Sequence, residues 1–426
     1  MAPVPAGGYP STLPLPHSKP LKNPTASGLA TTPAALAYRA SPVATAAWIA
    51  VAHGLNDAYA AFLHPLLPRI MANLGLSVAL AATLSMTFSV SQSLLQPLAG
   101  YAADRIGPRV FVVAGPLMSG VFLSLMGWAP NLPLLLLLLV LGGLGSAVFH
   151  PPGASFAARV GEGAGSGLRF SVFSFGGAVG FSLGPLIAVA LVSWGGLTGL
   201  AWAMVPALVA APLLWWALPG GRPNVGRAPP PGPRTVLRLL AGPLGLVFGI
   251  SAVSAFVQRV FVTFMPIIAA GDGRSESLGA VILSVYLGAQ ALGTLTGGLL
   301  TDRVDRVRLL VVLAVVALPA HAIALGAAAG SPLGFGAAAV AGFVNMAMLP
   351  PLVILAQEMV PEGAAVGSGI AMGLAWGVGS LLLPVSGLMG DVLGVRGGAL
   401  ASLPLYLAAI AMALHPVLRR GARRRA

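Results

Sequence analysis

The sequence of 426 residues contains no cysteine, and only 8% of its residues are charged. The lack of cysteine excludes disulfides, thiolate metal ligands and a cysteine nucleophile. A soluble globular domain carries about 25% charged residues, so this chain could not cover a water-exposed surface. With 57% hydrophobic residues, the composition indicates an integral membrane protein.

Acidic residues are scarce, numbering 10 against 23 lysines and arginines. All but one of them fall in predicted loops or at predicted helix ends, which leaves too little chemistry for a hydrolase or a transferase. No Walker motif is present. We therefore expect no enzymatic activity, no ATP-driven transport within this chain, no metal and no cofactor. The scattered basic residues are typical of membrane topology signals and do not indicate nucleic-acid binding.

Apolar runs of about 20 residues, the length that crosses a bilayer as a helix, recur along the whole chain. Lipid excludes unpaired backbone, and the strands of a β-barrel alternate over about 10 residues, so these longer runs predict helices. The 56 glycines and 37 prolines fit close helix contacts and bent helices. We predict an all-α membrane protein with twelve spans: 43–68, 76–99, 110–128, 132–154, 168–191, 197–218, 241–268, 276–299, 308–328, 332–356, 364–388 and 397–418.

The distribution of basic residues predicts the orientation. With both termini in the cytoplasm, 19 of the 23 lysines and arginines lie on the cytoplasmic side, as the positive-inside rule requires. The longest internal polar stretch, at 219–238, separates the first six spans from the last six. The predicted organisation is a disordered cytoplasmic tail (1–40), an N-terminal half (41–218), a cytoplasmic linker (219–238), a C-terminal half (239–418) and a basic cytoplasmic tail (419–426).

Two predicted loops repeat one pattern. The segment "GYAADRIGPR" (100–109) follows the second span, and "GGLLTDRVDR" (297–306) follows the eighth. The shared G-x-x-x-D-R comprises Gly100, Asp104 and Arg105 in the first copy and Gly298, Asp302 and Arg303 in the second. The offset of 198 residues between the copies predicts an internal duplication of six helices.

The pattern G-x-x-x-D-R-x-G after the second span, with a degraded second copy, resembles the signature of the major facilitator superfamily. The copies depart from it at Pro108 and at Asp305. The fifth span contains "GGAVGFSLGPL", which is similar to the glycine-proline motif of drug/proton antiporters, here as Gly180, Gly184 and Pro185. The resemblance implies two pseudo-symmetric six-helix halves and secondary transport by alternating access.

Five further stretches, in order along the chain, resemble the fosmidomycin resistance protein branch of that superfamily: "HGLNDAY" with "LHPLLP", "LGSAVFHPPGAS", "SVFSFGGAVGFSLGPL", "TFMPII" and "AQEMVPEG". This resemblance implies a monomeric exporter in the bacterial inner membrane that expels a small organic compound, such as an anionic phosphonate-type drug, in exchange for protons. Proton- or ion-coupled uptake of an organic anion is the alternative. A non-transporting membrane sensor or scaffold is the rival from another class.

The first span places polar residues in an apolar helix. At about 100° per residue, His53, Asp57 and His64 share one face, with Asn56 beside them. An intramembrane ionisable group usually faces a cavity or a partner, so Asp57 and His53 are predicted to couple transport to protons. The alternative for both is a structural hydrogen-bonded cluster, and for His64 the structural interpretation is favoured.

Arg259 lies in the middle of the seventh span, 202 residues after Asp57. Its planar fork suits a carboxylate or phosphonate, so it is predicted to hold a substrate anion or to pair with Asp57. Gln258, Asn56 and His150 complete the predicted substrate site. His150 precedes two prolines, so it could equally fill the gap left by freed carbonyl groups.

The superfamily resemblance implies that charged residues at the cytoplasmic helix ends form ion pairs that close this side. The predicted gating residues are Gly100, Asp104, Arg105, Arg159, Gly298, Asp302, Arg303 and Glu358. The neighbouring Arg109, Arg306 and Arg308 are interpreted as simple topology anchors.

Overall fold

The computed structural model describes residues 41–160, 166–220, 231–360 and 364–418, and these ranges contain helices and no strand. The predicted all-α class is confirmed. The predicted tail 1–40, the centre of the predicted linker and the predicted basic tail 419–426 lie outside the described residues.

The described residues of the first half form eight α-helices. They are α1 (Pro42–Ala60), α2 (Leu63–Leu74), α3 (Val78–Leu94), α4 (Gln96–Ile106), α5 (Pro108–Ser124), α6 (Leu132–Val160), α7 (Ser166–Gly199) and α8 (Met204–Ala217). Short 3-10 helices at Leu125–Trp128 and Leu200–Ala203 continue α5 and precede α8. The Oγ atoms of Ser41 and Ser77 each accept a hydrogen bond from the backbone N–H three residues later. They therefore cap the first turns of α1 and α3 and fix where these helices begin.

The second half begins with α9 (Pro233–Leu240), which overlaps the end of the predicted linker. The remaining helices are α10 (Leu244–Gly271), α11 (Glu276–Thr301), α12 (Arg306–Gly326), α13 (Pro332–Ala347), α14 (Leu349–Met359), α15 (Ala364–Ser368), α16 (Ala375–Ser380), α17 (Leu383–Leu393), α18 (Val395–Ala401) and α19 (Leu405–Leu414). A π-helical turn at Gly369–Leu374 joins α15 to α16.

Ten stretches of the described chain are long and apolar enough to cross a membrane. One of them, Ser171–Ala217, has 47 residues and would extend about 70 Å as one helix, more than twice the hydrocarbon thickness. Gly195 and Gly196 leave the helical backbone inside it, with φ of 64° at Gly196, so this stretch makes two crossings. With α1 and α2 added as a further crossing, the arrangement is consistent with the predicted twelve.

The first predicted span is broken in the structure. The helix α1 ends at Ala60 and α2 begins at Leu63, so the single helix predicted over 43–68 is wrong in this detail. Pro65 cannot donate to the carbonyl four residues earlier, and its ring clashes there, which prevents α1 from continuing. His64 therefore lies on a different helix from His53 and Asp57, and the predicted common face is not formed.

Each half contains an equivalent glycine contact, and the two contacts are separated by the offset of the sequence repeat. A Cβ added to Gly143 would lie 3.1 Å from the Phe88 carbonyl oxygen, and one added to Gly342 would lie 2.2 Å from that of Tyr286. The paired positions differ by 198 and 199 residues. The two halves thus reuse the same close helix approach, as expected for the pseudo-symmetric fold.

The two halves meet closely at one end of the bundle, which we call the α2 end. There α2 packs on α10 and α11, and α3 packs on α16 and α17. Arg69 donates two hydrogen bonds of 2.8 and 2.7 Å to Glu276. The Asp391 carboxylate accepts from the backbone N–H groups of Val78 and Ala79, at the start of α3.

Candidate functional site

The site is built on the contact between α1 and α7. Added Cβ atoms at Gly176, Gly180 and Gly184 would meet the carbonyl oxygens of Ala50, Gly54 and Ala58 at 2.4, 1.9 and 2.4 Å. These positions recur every four residues on both helices, so only glycine allows the two backbones to approach this closely. The buried Pro185 lies in the same helix, directly after this row.

This close approach fixes the ring of His53. Its Nδ1 lies 2.9 Å from the carbonyl oxygen of Phe173, and the ring stacks on the Phe173 ring with centroids 4.2 Å apart. An added Cβ at Gly177 would lie 2.4 Å from the imidazole, so the glycine also makes the room in which the histidine sits. His53 is buried and held on two sides by α7.

Asp57 lies between two histidines. One carboxylate oxygen is 3.2 Å from Nε2 of His53, one turn earlier on α1, and the other is 3.2 Å from Nε2 of His150 on α6. The Asp57 side chain is 17% exposed, that of His53 11% and that of His150 33%. His150 is therefore the most accessible of the three. We call these three residues the proton cluster.

His150 also bonds within its own helix, since its Nδ1 lies 2.9 Å from the carbonyl oxygen of Ser146. The helix α6 continues through Pro151 and Pro152 to Val160, so the prolines do not end it. The two interpretations left open by the sequence therefore both describe part of the geometry: one ring nitrogen satisfies a backbone carbonyl and the other meets the carboxylate.

Asn56 is completely buried beneath the proton cluster. Its Nδ2 donates to Asp57 at 3.0 Å and to the Ser146 hydroxyl at 3.3 Å, and its Oδ1 accepts from the Ser119 hydroxyl at 3.1 Å. The amide thus joins α1, α5 and α6. Because its hydrogen bonds go to protein groups, the geometry fits a residue that orients Asp57 better than the predicted substrate ligand.

The three members of the proton cluster are also the residues that could hold a metal ion. Their ligand atoms all lie within 4.8 Å of one another. The two contacts between a ring nitrogen and a carboxylate oxygen, at 3.2 Å, also have the length of hydrogen bonds.

Arg259 is not a partner of Asp57 in this structure. The sequence suggested this pair as one possibility, but the carboxylate contacts His53, His150 and Asn56. Arg259 lies in α10 at 3% exposure, with its guanidinium carbon 5.9 Å from the Trp376 ring centre. Its buried Nε has no hydrogen-bond partner among the described residues.

Two glutamines on α10 and α11 share this incomplete hydrogen bonding. Gln258 donates from Nε2 to Oε1 of Gln290 at 3.1 Å. The remaining amide oxygen of Gln258 and the remaining amide nitrogen of Gln290 are buried and without a partner in the described part of the chain. Together with Arg259, these two glutamines form what we call the Arg259 cluster of the C-terminal half.

Two further polar residues of the second half each have several hydrogen-bond partners. Asn345 on α13 donates to the Ser254 backbone and hydroxyl oxygens and to the Tyr406 hydroxyl, at 2.9 to 3.1 Å. His321 lies with Nδ1 2.8 Å from the Ala317 carbonyl oxygen and Nε2 3.2 Å from the Tyr286 hydroxyl. Sequence analysis did not single out Asn345 or Ser254, because isolated polar residues in different helices carry no common spacing.

His64 connects three helices away from the proton cluster. Its Nε2 lies 3.0 Å from the hydroxyl of Ser85 on α3, which lies 2.7 Å from the hydroxyl of Thr263 on α10. This chain crosses between the two halves of the bundle. The geometry agrees with the structural interpretation of His64.

The first copy of the repeated loop pattern lies at the end of α4. Gly100 lies within α4 and not in a loop, and a Cβ added there would lie 3.3 Å from Cβ of Pro151, so α4 approaches α6 just beyond the proton cluster. Asp104 is buried, and Arg105 lies over the Tyr101 ring at 4.4 Å. Arg159 is within α6, but its side chain lies outside the described residues.

The second copy is more open. An added Cβ at Gly298 would meet no atom within 4 Å, and Asp302 and Arg303 are exposed at the end of α11. Glu358 accepts a hydrogen bond of 2.7 Å from Arg306, so the interpretation of Arg306 as a simple anchor omits this ion pair. Arg109 likewise has a further contact, with its guanidinium 4.2 Å from the Trp215 ring.

At the α2 end, a carboxylate outside the membrane spans has a perturbed pKa. The pKa of Asp272 is held below its ordinary value of 3.8, first by the backbone N–H of Ala329 and then by Arg396. Arg396 donates to this carboxylate at 2.8 and 2.9 Å and to two carbonyl groups at the end of α12. This pair braces the loops of the C-terminal half.

Comparison with known proteins bears on the same fold. The profile of the Major Facilitator Superfamily matches residues 49–270, just over half of the chain. The chain is 27% identical over 352 residues to the fosmidomycin resistance protein of Escherichia coli (strain K12), covering 80% of this chain and 85% of that protein. It is also 27% identical to the transporter YfnC of Bacillus subtilis (strain 168), covering 84% and 89%. The predicted resemblance is confirmed.

Solved structures share the architecture. A bacterial homologue of the human lysosomal transporter Spinster, in an inward-facing and unoccupied conformation, superposes with a TM-score of 0.75 at 17% identity, covering 87% of this chain and 96% of the other. A point mutant of the nucleoside transporter NupG superposes with a TM-score of 0.71 at 14% identity, covering 89% and 99%. At these identities the likeness establishes the fold alone.

Proposed function

Because the chain belongs to the Major Facilitator Superfamily, a family of membrane transporters, we propose that it is a proton-coupled antiporter that exports a small organic compound across the bacterial cytoplasmic membrane. The observation that carries this proposal is the position of Asp57 between His53 and His150, at 3.2 Å from each ring. A carboxylate inside a membrane span is costly unless it has a function and a partner.

Coupling follows from the contact between α1 and α6. The carboxylate of Asp57 and the ring of His150 share a proton only while the two helices hold them together. A substrate that enters beside the more exposed His150 and separates the two groups removes this hydrogen bond, and the proton leaves. Substrate and proton then compete for one site, which is the thermodynamic requirement for antiport.

The proposed substrate is a small anion such as a phosphonate. Arg259 supplies a planar fork that matches carboxylate and phosphonate oxygens, and Gln258 lies next to it. Fosmidomycin, the compound in the name of one relative, is therefore the first candidate, and antibiotic resistance would follow from its export. Asn56 orients Asp57 in this scheme and does not contact the substrate.

The proposed orientation places both termini in the cytoplasm and the α2 end at the periplasm. Residues 41–218 and 239–418 are the two moving halves, joined by 219–238. The gating residues at the ends of α4 and α11, together with Arg159 and Glu358, would close the cytoplasmic side in the opposite state. A closure by several weak pairs suits a near-balanced switch, since each exposed pair contributes about 0–1 kcal/mol.

Uptake of an organic anion with protons is the second candidate. Bound protons add positive charge near the proposed anion site. This charge attracts the substrate anion, so protons and anion would bind together, which favours uptake. The sign of the pH dependence separates the candidates: competition makes substrate bind more tightly at high pH, whereas binding together makes it bind more tightly at low pH. A sensor or scaffold would show neither dependence.

The experiment is proton flux in proteoliposomes that contain the purified protein and a trapped pH indicator. Fosmidomycin, a simple carboxylate and a cationic drug are added in turn, with an imposed pH gradient. Antiport predicts proton movement opposite to the compound that is transported. Movement of protons and compound in the same direction would favour uptake, and no proton movement with any compound that is transported would refute proton coupling.

A further inference from the structure

Both histidines of the proton cluster are oriented as metal-binding histidines usually are. Nδ1 of His53 faces the Phe173 carbonyl oxygen at 2.9 Å, and Nδ1 of His150 faces the Ser146 carbonyl oxygen at 2.9 Å. A carbonyl oxygen only accepts hydrogen bonds, so each Nδ1 carries the hydrogen and the neutral ring presents a lone pair at Nε2. A metal-binding histidine almost always donates its other N–H to such a group, which fixes the ring and its tautomer.

The carboxylate of Asp57 completes a convergent set of ligand atoms. One of its oxygens lies 3.2 Å from Nε2 of His53 and the other 3.2 Å from Nε2 of His150, and the ligand atoms of the three residues all lie within 4.8 Å of one another. Four-coordinate Zn²⁺ binds nitrogen and oxygen ligands at about 2.0–2.2 Å, which places neighbouring ligand atoms of a tetrahedron about 3.3–3.6 Å apart. The observed separations are close to this range, so small side-chain movements would complete the site.

The surroundings of these ligand atoms also fit a metal site. Asn56 is completely buried and donates from Nδ2 to one oxygen of Asp57 at 3.0 Å, and hydrogen bonds of this kind hold ligating carboxylates in place. The side chain of His150 is 33% exposed, so an ion can enter from this side. It can also keep a water molecule as its fourth ligand, as Zn²⁺ does in sites with three protein ligands.

We propose that His53, Asp57 and His150 bind one divalent transition-metal ion such as Zn²⁺, which goes beyond the proposed transport function. Two imidazole rings and one carboxylate suit this class of ion, whereas Mg²⁺ and Ca²⁺ prefer sites made of oxygen ligands. The ion would fill the two contacts that protons bridge in the proposed coupling, so metal and protons exclude each other there. No metal was expected from the sequence, and the proposal revises that expectation, because His150 comes from a distant part of the chain.

His321 provides a comparison within the same molecule. It is buried, and its Nδ1 also faces a backbone carbonyl oxygen, that of Ala317 at 2.8 Å. Its Nε2, however, lies 3.2 Å from the Tyr286 hydroxyl, and within the described ranges it belongs to no group of three metal-ligating side chains. A histidine with the same backbone contact but without a converging carboxylate and second ring should not bind the ion.

The first test is isothermal titration calorimetry of Zn²⁺ into the purified full chain without a histidine tag, in detergent. The parent should bind one Zn²⁺ and give no signal with Mg²⁺. His53→Gln, Asp57→Asn and His150→Gln should each weaken Zn²⁺ binding at least about a hundredfold, since even the loss of an outer partner costs about 10- to 100-fold. His321→Gln and His415→Gln, which remove a buried and an exposed histidine elsewhere, should match the parent. No binding by the parent, or equal affinity in His150→Gln, would overturn the proposal.

The second test needs no variant and therefore does not depend on how well a variant folds. X-ray absorption at the zinc edge of the parent, loaded with one equivalent of Zn²⁺, should show nitrogen and oxygen ligands at about 2.0–2.2 Å. The outer-shell scattering should be that of two imidazole rings. Scattering from one ring, or from none, would contradict the assignment of His53 and His150. Both tests use no pH gradient and no transported compound, so their results are independent of the proposed antiport.

Discussion

The two halves of the molecule treat their intramembrane charges differently. In the N-terminal half, both oxygens of Asp57 are hydrogen-bonded, and both ring nitrogens of His53 and His150 have partners. In the C-terminal half, the Arg259 cluster contains buried atoms of Arg259, Gln258 and Gln290 that have no partner among the described residues. Asp57 and Arg259 occupy corresponding places in the repeat. The difference in their hydrogen bonding therefore comes from the side chains around them and not from their position in the fold.

The difference agrees with the proposed division of two tasks, proton coupling in the N-terminal half and substrate binding in the C-terminal half. A buried polar atom without a hydrogen bond costs about 1–3 kcal/mol, and more when the group is charged. The side chains of Asp57, His53 and His150 avoid this cost because they hydrogen-bond to one another and to backbone carbonyl groups. Arg259, Gln258 and Gln290 do not avoid it, which is the condition expected of a site whose partner is a ligand or another conformational state.

The largest effect should come from Arg259. Arg259→Ala removes the fork that meets the substrate anion, and the loss of one member of a buried charge pair costs about 2–5 kcal/mol, so the Kd for fosmidomycin should rise at least about thirtyfold. Arg259→Lys should raise it less, since a point charge replaces only part of the fork. Isothermal titration calorimetry checks both values.

The matched control for this prediction is Arg274→Ala, which removes an exposed arginine of the loop after α10. It should leave the Kd unchanged. An unchanged Kd in Arg259→Ala would mean that the two halves do not divide their tasks in this way, and that the arginine is structural.

The next effect tests the backbone approach on which the proton cluster depends. Gly180→Ala places a Cβ 1.9 Å from the Gly54 carbonyl oxygen, so α1 and α7 must separate at a cost of about 1–3 kcal/mol. We expect a Tm several degrees lower and weaker pH-driven transport. Gly336→Ala, where an added Cβ meets nothing within 4 Å, should keep or raise the Tm. Equal Tm values for both variants would refute the close contact.

A smaller effect concerns the closed α2 end. Arg69→Ala removes the ion pair with Glu276, which contributes about 0–1 kcal/mol to the closed state. The fraction of molecules that are open at the α2 end should therefore rise by up to about fivefold. Because the chain has no cysteine, Ala82→Cys gives a clean reporter at the contact of α3 with Gly387. Its labelling rate by a membrane-impermeant maleimide should rise in Arg69→Ala and stay constant in Arg274→Ala.

The smallest effect is the pH dependence of Asp272. Since the pKa of Asp272 is lower in the folded protein than its ordinary value of 3.8, its stabilising contribution is present above that value and is lost as the pH falls through the folded pKa. Asp272→Asn should therefore lower the free energy of unfolding at pH 7 by less than about 1 kcal/mol at this exposed site, and lower the Tm slightly. The Tm difference from the parent should shrink as the pH falls below 3.8; a constant difference would contradict the assignment.

The sequence predicted the all-helical membrane class, because the thickness of the bilayer sets the length of the apolar runs that cross it. It also predicted that the side chains of Asp57 and His53 lie together, since a spacing of four residues on one helix brings side chains into contact. The break between α1 and α2 was missed, although Pro65 signals it, because the apolar run continues through the break.

Contacts between distant residues could not be predicted in the same way. Arg69 and Glu276 are 207 residues apart, and nothing in either local pattern indicates the other. His150 was identified as a polar residue of interest, but its contact with Asp57 depends on how α6 crosses α1. The hydrogen bonds from Val78 and Ala79 to Asp391 likewise arise only when the two halves pack together.

The most direct test of the account is Asp57→Asn in proteoliposomes, assayed twice with fosmidomycin. The amide keeps the helix and can still hydrogen-bond, but it cannot carry the proton. Exchange of labelled for unlabelled compound without a pH gradient should persist, while accumulation driven by a pH gradient should be lost. Accumulation by Asp57→Asn equal to that of the parent would contradict the account and leave Asp57 as a structural member of the α1–α6 contact.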